Sequence, residues 1–151
     1  MNDMTHWGTA SATEVGAASL LLGGIVGEVA AGGTTAQRRA FFRAVGARIA
    51  AAHPVGDAQD IGALAESINR LWRQHDCGEV RFELAPDGLL ITHMGFARSL
   101  SAILGGATEQ VLRPILEGAY DAWRHTLGSG ANLPTRTLWW SDAEARLKHG
   151  R

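Results

Sequence analysis

The sequence predicts an α+β fold, with several helices packed on a small antiparallel sheet that contains a β-hairpin. Three observations predict it. Apolar residues recur at three and four over residues 34–52 and 57–75. The period then changes to two in "GEVRFEL" and "LLITHM". Helical spacing resumes from Thr108 and runs to Gly128.

The bulk numbers fit one globular domain. The chain has 151 residues, 46% hydrophobic and 19% charged, long enough to bury about 70% of its unfolded surface. A net charge of -1 and a pI near 6.6 leave no electrostatic footprint for nucleic acid. Arg38, Arg39, Arg43 and Arg48 lie along one helix and are expected to be solvated. The single cysteine, Cys77, excludes an intrachain disulfide and a cysteine-based zinc site. It is expected to be a half-buried thiol, because it precedes a strand and not a helix start. "LLLGGIVGEVAAGG" has no basic leader before it, carries Glu28 and is too short to span a bilayer. We therefore expect no secretion signal and no membrane span.

Taken in order, residues 1–12 are small and polar and are expected to fray. A helix is expected from Thr13 to Ala31, where Val15, Ala18, Ser19, Leu22, Val26 and Val29 recur at helical spacing. Gly16, Gly23, Gly24 and Gly27 each weaken it by about 1 kcal/mol relative to alanine. Such a helix needs a partner surface, and another subunit can supply one. A second helix follows, capped by Thr34 or Thr35, with Phe41, Val45, Ile49 and Ala52 as its apolar face and Phe42 at the margin. Pro54 ends it at His53. The third helix, 57–75, starts at Asp57 or Asp60 and carries Ile61, Leu64, Ala65, Ile68, Leu71, Trp72 and His75 on one stripe.

In the hairpin, Val80, Phe82 and Leu84 point one way, Arg81 and Glu83 the other, with "APDG" as the turn. His93 is expected opposite Leu90 and Thr92, where it can line a surface. Ser99 to Leu104 reads equally as a short helix or a loop. From Thr108 a long helix is expected, with Leu112, Leu116, Ala119, Tyr120, Trp123 and Leu127 on one face. Arg113, Glu117, Asp121, Arg124 and His125 take the other side. "GSGANLP" is a loop, "TRTLWWS" a strand pairing with the hairpin, and "DAEARLKHGR" at most a short amphipathic helix.

The chemistry-bearing residues give no enzyme signature. Glu117 and Asp121 are four apart and could split their pKa values for acid–base work. Arg113, Arg124 and His125 surround them, the pattern of a salt-bridged solvent face. Gly118, on that polar side, marks a place where another helix can approach closely. The six histidines form no H-x-x-x-H or H-E-x-x-H pair. His75 is expected at the edge of the core. No P-loop, G-x-G-x-x-G or G-x-S-x-G motif occurs. No catalytic residue, cofactor or metal is expected. Trp139 and Trp140 are adjacent and cannot both face inward on one regular strand, so a subunit interface or a ligand is expected to cover one of them.

Three segments in order, "FFRAVGARIA", "LAESINRLWRQHDCGEVRFELAPDGLLITH" and "VLRPILEGAYDAWRHTLG", resemble the bacterial cellulose synthase operon protein D family, the D subunits of cellulose synthase. The segment "PILEGAYDAW" carries most of the likeness, through Pro114, Ile115, Leu116, Glu117, Gly118, Tyr120 and Trp123. Val45-Gly46 and Gly78–Val80 are the other anchors. The resemblance covers about residues 35–128; the first 30 residues and the tail after Thr137 depart from it.

The resemblance implies a non-enzymatic accessory subunit of cellulose biosynthesis and secretion. Its subunits pair and build a ring-like homo-oligomer, an octamer. It works with other cellulose synthase subunits to align, export or crystallise nascent β-1,4-glucan. N-terminal segments line the inner passages. On this chain that divides a flexible start and glycine-rich oligomerisation or lining helix, 1–33, from a single α+β domain, 34–151. Leu22, Val26, Trp139 and Trp140 are then the expected interface or glucan contacts. The expected place is cytoplasmic, at the inner-membrane synthase complex, with the periplasm as the alternative. The same element order also looks like the small ligand-binding fold of vinyl-4-reductase and transport-particle proteins, which implies a small-molecule sensor instead.

Overall fold

A computed structural model describes residues 12–96, 100–128 and 133–151. The elements are α1 (Ala12–Ala31), α2 (Thr35–Ala52), α3 (Ile61–Gln74), β1 (Glu79–Ala85), β2 (Gly88–Met94), α4 (Ser101–Leu104), α5 (Thr108–Thr126), β3 (Thr135–Trp140) and β4 (Glu144–Gly150). A single 3-10 turn, Gly105–Ala107, joins α4 to α5. The fold is α+β with one four-stranded antiparallel sheet in the order β1-β2-β4-β3. Residues 1–11, 97–99 and 129–132 lie outside the described residues. With them go the fraying expected of the start, the Ser99 end of the short helix, and the middle of the "GSGANLP" loop.

The tail corrects the sequence reading. It is a strand, β4, set between the hairpin and β3. "EARLKHG" alternates Ala145, Leu147 and His149 inward with Arg146 and Lys148 outward, and strands on both sides satisfy its backbone. So β3 pairs with β4 and does not touch the hairpin directly. Its register shifts between Thr137 and Trp139. This bulge at Leu138 turns Trp139 outward opposite Arg146 and brings Trp140 inward opposite Ala145.

One face of the sheet is covered by α3 at β1 and by α5 at β3 and β4. Val80, Leu89, Ile91, Ala145 and Leu147 are buried there. The other face, with Arg81, Glu83, Arg136 and Arg146, is in solvent. Leu84, expected to share the inner face, is 74% exposed; it lies next to the hairpin turn, where β1 is an edge strand. Asn69 of α3 docks on β1 like a short piece of strand: its Nδ2 donates to the Val80 carbonyl at 2.9 Å and its Oδ1 accepts the Val80 N–H at 2.7 Å. Asp60 caps α3 by accepting the Ala63 N–H at 2.7 Å.

Behind α5, away from the sheet, α2 forms a third layer. Thr34 caps it in a reciprocal capping box with Gln37. Its inward residues are Phe42, Gly46 and Ala50, while Phe41 is 45% exposed and Ala52 is exposed. The expected face is thus one residue out of phase. The reason is Gly46, which adds nothing to an apolar stripe and yet is the residue on which the helix is centred. A Cβ at Gly46 would lie 1.9 Å from the Ile115 carbonyl oxygen, and one at Gly118 would lie 2.0 Å from the Arg43 carbonyl oxygen. The two helices cross backbone to backbone at this pair of glycines. Gly118 does mark a close helix approach, and the helix is this chain's own α2.

Candidate interaction site

The polar side of α5 is not a solvent face. α2 covers it, and Glu117 is 0% exposed. Two acids at i, i+4 on α5 meet two arginines at i, i+4 on α2. Glu117 Oε2 accepts from Arg39 at 2.7 Å and from Arg43 at 3.3 Å. Its Oε1 accepts the Thr137 N–H at 3.0 Å and the Thr137 hydroxyl at 2.8 Å. Arg43 also reaches Asp121 at 3.2 Å and donates to the Thr135 carbonyl at 3.2 Å. Asp121 in turn accepts the Thr135 N–H at 2.9 Å. Arg39, which stays half in solvent as its helix suggested, and the more covered Arg43 are thus the counter-charges of α5. Arg38 turns back locally to the Gly33 carbonyl and Thr35. The matching i, i+4 spacing of acids and arginines was the signal in the sequence that could have found this node.

The rest of the family-like motif builds the core. Leu116 and Tyr120 are buried under the sheet together with Trp123, and Pro114 is buried within the helix. Trp123 Nε1 donates to the His53 carbonyl at 3.0 Å, tying α5 to the end of α2. Trp72 Nε1 donates to the Tyr120 oxygen at 3.2 Å. Tyr120 lies 2.6 Å from His93 Nδ1, and His93 Nε2 lies 2.7 Å from the Cys77 carbonyl. A carbonyl only accepts, so Nε2 carries the proton and Nδ1 accepts the Tyr120 O–H. His93 is thus a core residue, 1% exposed, and lines no surface. The strand does place it opposite Leu90 and Thr92, but that is the buried side. Burial lowers its pKa to about 4 and keeps it neutral. His75, expected at the core edge, is exposed beyond the last turn of α3. Cys77 is half-buried, its S–H donates to the His75 carbonyl, and burial pushes its thiol up.

The surface carries the apolar residues left over. On α1, Leu20 is 77%, Leu21 67% and Ile25 56% exposed. Val26 turns inward and is buried, and Leu22 sits at the boundary. A Cβ on Gly16, Gly23, Gly24 or Gly27 would meet nothing within 4 Å. The helix touches the body mainly through α4. Of the expected stripe, Val26 and Val29 pack on the body, and Leu22 stays outside it. The outward side, Leu20, Leu21 and Ile25, lies off that stripe, and glycines on either side of it break any period of its own. On β3, Trp139 is 49% exposed under the Arg146 guanidinium, 5.3 Å from its ring centre, and Leu138 beside it is 53% exposed. Trp140 packs against the core. No helix among the described residues is long and apolar enough to cross a membrane.

The family model for the D subunit of cellulose synthase matches residues 5–150 of the chain. The match extends through both ends that had looked divergent, α1 and β4 included. Among curated proteins, none matches the chain.

Proposed function

The chain belongs to the family of cellulose synthase D subunits, and from that premise we propose that it is a non-catalytic accessory subunit of cellulose synthesis, an oligomeric scaffold that helps to align, export or crystallise nascent glucan. The observation that carries the scaffold reading is α1. Leucine and isoleucine stand in solvent on a helix whose glycines leave room for a close neighbour. Apolar surface of this kind marks an interaction site, and symmetric association of identical chains is the commonest way to cover it. A ring built from pairs, an octamer, would bring several such helices together around passages for glucan. Trp139 with Leu138 offers a second contact, for a neighbouring subunit or for the flat face of a sugar ring.

The non-catalytic reading draws support from the acids and histidines at the heart of the domain. Glu117 has both oxygens occupied by this chain's own donors, and His93 has both ring nitrogens engaged. A small-molecule sensor would need an apolar cavity between sheet and helices. That space holds Trp72, Phe82, Phe96, Tyr120 and Trp123, in edge contacts with ring centres no more than 6.0 Å apart.

Native mass spectrometry and light scattering of the full chain at micromolar concentration test the assembly. A ring-sized oligomer is expected, and a strict monomer would sink the scaffold. In cells, deletion is expected to lower cellulose yield or fibril order; no change in either would refute the role. Protease protection in spheroplasts distinguishes the cytoplasmic side of the synthase, our preferred place, from the periplasm.

A further inference from the structure

A groove of about 420 Å³ lies between the starts of α2 and α5. From α2 it is lined by Thr35, Arg38 and Arg39, and from α5 by Glu109, Gln110 and Arg113. Its walls reach solvent: the side chains of Arg39, Arg113 and Glu109 are 50%, 36% and 52% exposed. The space falls in the range of about 300–1,000 Å³ that holds small organic ligands. A single inorganic ion would leave most of it empty.

Guanidiniums from both helices converge at this groove. Arg39 Nη2 donates to Glu117 Oε2 at 2.7 Å, and Arg113 Nε lies 3.7 Å from Oε1 of the same carboxylate. Glu117 is fully buried, so the two cations meet over one sealed acid. Arg38, one residue before Arg39, donates to the Gly33 carbonyl at 2.9 Å and to the Thr35 hydroxyl at 3.3 Å. A guanidinium carries about five N–H donors. These bonds use two on Arg38, and Arg39 and Arg113 spend one each on Glu117 and Glu109. The charge count takes in the whole node. Arg38, Arg39, Arg43 and Arg113 stand against Glu109, Glu117 and Asp121, four cations to three carboxylates. Both helices begin here, and the positive ends of their dipoles add to that excess.

Glu109 shows what the groove accepts. It is the one acid among the lining residues, and its carboxylate takes an N–H of Arg113 at 3.2 Å. An exposed ion pair at i, i+4 holds weakly, so a ligand anion can take the place of Glu109 on Arg113. Guanidinium forks match phosphoryl and carboxylate oxygens in pairs. No aromatic ring is among the lining residues, so the groove lacks the flat stacking surface that suits a sugar ring. We infer that this groove binds a small organic polyanion, a molecule carrying two or more phosphoryl or carboxylate groups, with Arg38, Arg39 and Arg113 as the donors. Gln110 lies beside them as a neutral donor and acceptor. None of these residues belongs to the exposed face of α1 or to the patch at Leu138 and Trp139, so this site and the scaffold reading can fail separately.

The test is calorimetric titration of the full chain with pyrophosphate, citrate and inorganic phosphate, against chloride at equal ionic strength. Pyrophosphate or citrate is expected to saturate one site, about tenfold tighter than inorganic phosphate, because it can bridge guanidiniums that a single ion cannot. Pyrophosphate tighter than citrate would assign a phosphoryl ligand; the reverse order would assign a polycarboxylate. Two variants should move the affinity in opposite directions. Arg38→Gln removes a donor and should weaken binding about tenfold, a change of about 1.4 kcal/mol. Glu109→Gln removes the competing carboxylate and should tighten binding several-fold. Arg113→Gln supplies a second weakening variant if Arg38→Gln is poorly folded. Absence of saturation with both polyanions would overturn the site. So would affinities that none of the variants changes, or inorganic phosphate binding as tightly as pyrophosphate; these would mean an adventitious ion only. Saturation by a neutral cello-oligosaccharide, weakened by Arg38→Gln, would overturn the polyanion and give the groove to glucan.

Discussion

α5 and α1 are helices of 19 and 20 residues, and they use their residues in opposite ways. α5 is covered on both sides. Its aromatic stripe lies on the sheet, and its charged stripe lies against the arginines of α2. α1 leaves leucines and an isoleucine in water. Even glycine differs between them. At Gly118 the backbone of α2 fills the place of the missing side chain, whereas at Gly24 nothing does. The difference teaches that a side chain's polarity does not by itself say where it faces. A charged stripe is buried when another helix brings its counter-charges, and an apolar stripe stays exposed when this chain offers it no partner.

The glycines break the comparison most sharply. Gly118→Leu or Gly46→Leu should cost about 4 kcal/mol or more, since a carbonyl stands where the first side-chain atom would go. Denaturant unfolding measures this, with the midpoint falling and the slope unchanged. A loss below about 1 kcal/mol would mean that the two helices do not pack backbone to backbone.

Next in size is a pH effect confined to the α5 side. His93 has its pKa lowered to about 4 by burial. The unfolded chain takes up the proton near the usual 6.5, the native one only near 4. Stability from the neutral ring is complete above 6.5 and is lost as pH falls through this window, by about 3 kcal/mol in all. His93→Gln removes that titration. The stability difference between parent and variant should shrink by this amount between about pH 7 and pH 4; a difference independent of pH would refute the buried neutral histidine.

Glu117→Ala follows, with an expected cost of about 2 kcal/mol. Breaking a fully buried pair costs about 3–5 kcal/mol, but Arg39 and Arg43 keep 50% and 29% exposure and can be rehydrated. Arg39→Ala alone should cost less than about 1 kcal/mol. A double-mutant cycle between Glu117 and Arg43 should show coupling well above that between Glu117 and Arg39. Equal couplings would place the node at the surface, as the sequence first suggested.

Much of the fold was legible because local patterns and tertiary packing agree there. The stripe through Leu64, Ile68 and Trp72, the cap at Asp60, and the alternation in the hairpin each follow from a single element's own period. Where legibility failed, a second element decided. His149 reads as part of a polar tail until β2 and β3 close on either side of its strand. Glu117 and Asp121 read as solvated until Arg39 and Arg43 arrive from residues seventy-odd positions away. Phe41 reads as core until the crossing at Gly46 sets the rotation of its helix. Trp139 and Trp140 raised the right question, and a bulge that no period announces gives the answer. The family likeness was carried by 35–128, where buried glycines and aromatics leave little freedom, and it weakened in α1, whose exposed face is free of this chain's own packing.

The smallest effect on the monomer is expected from that exposed face, and it bears most on function. Leu20→Ser with Ile25→Ser removes two of the exposed side chains from α1. Both stand mostly in solvent, so each should change the stability of the isolated domain by no more than about 0.5 kcal/mol, plus a small helix-propensity cost for serine. If a second copy covers these residues, the pair should instead lower the oligomer's mass at micromolar concentration while leaving its circular dichroism unchanged. Gly24→Ala sharpens the point. In an isolated helix it gains about 1 kcal/mol of propensity, and the open space around it offers no clash within the chain. Weaker association caused by that one methyl group would mean that a neighbouring helix comes as close to Gly24 as α2 does to Gly118. Unchanged assembly in both variants would leave α1 out of the scaffold and move the interface to Leu138 and Trp139.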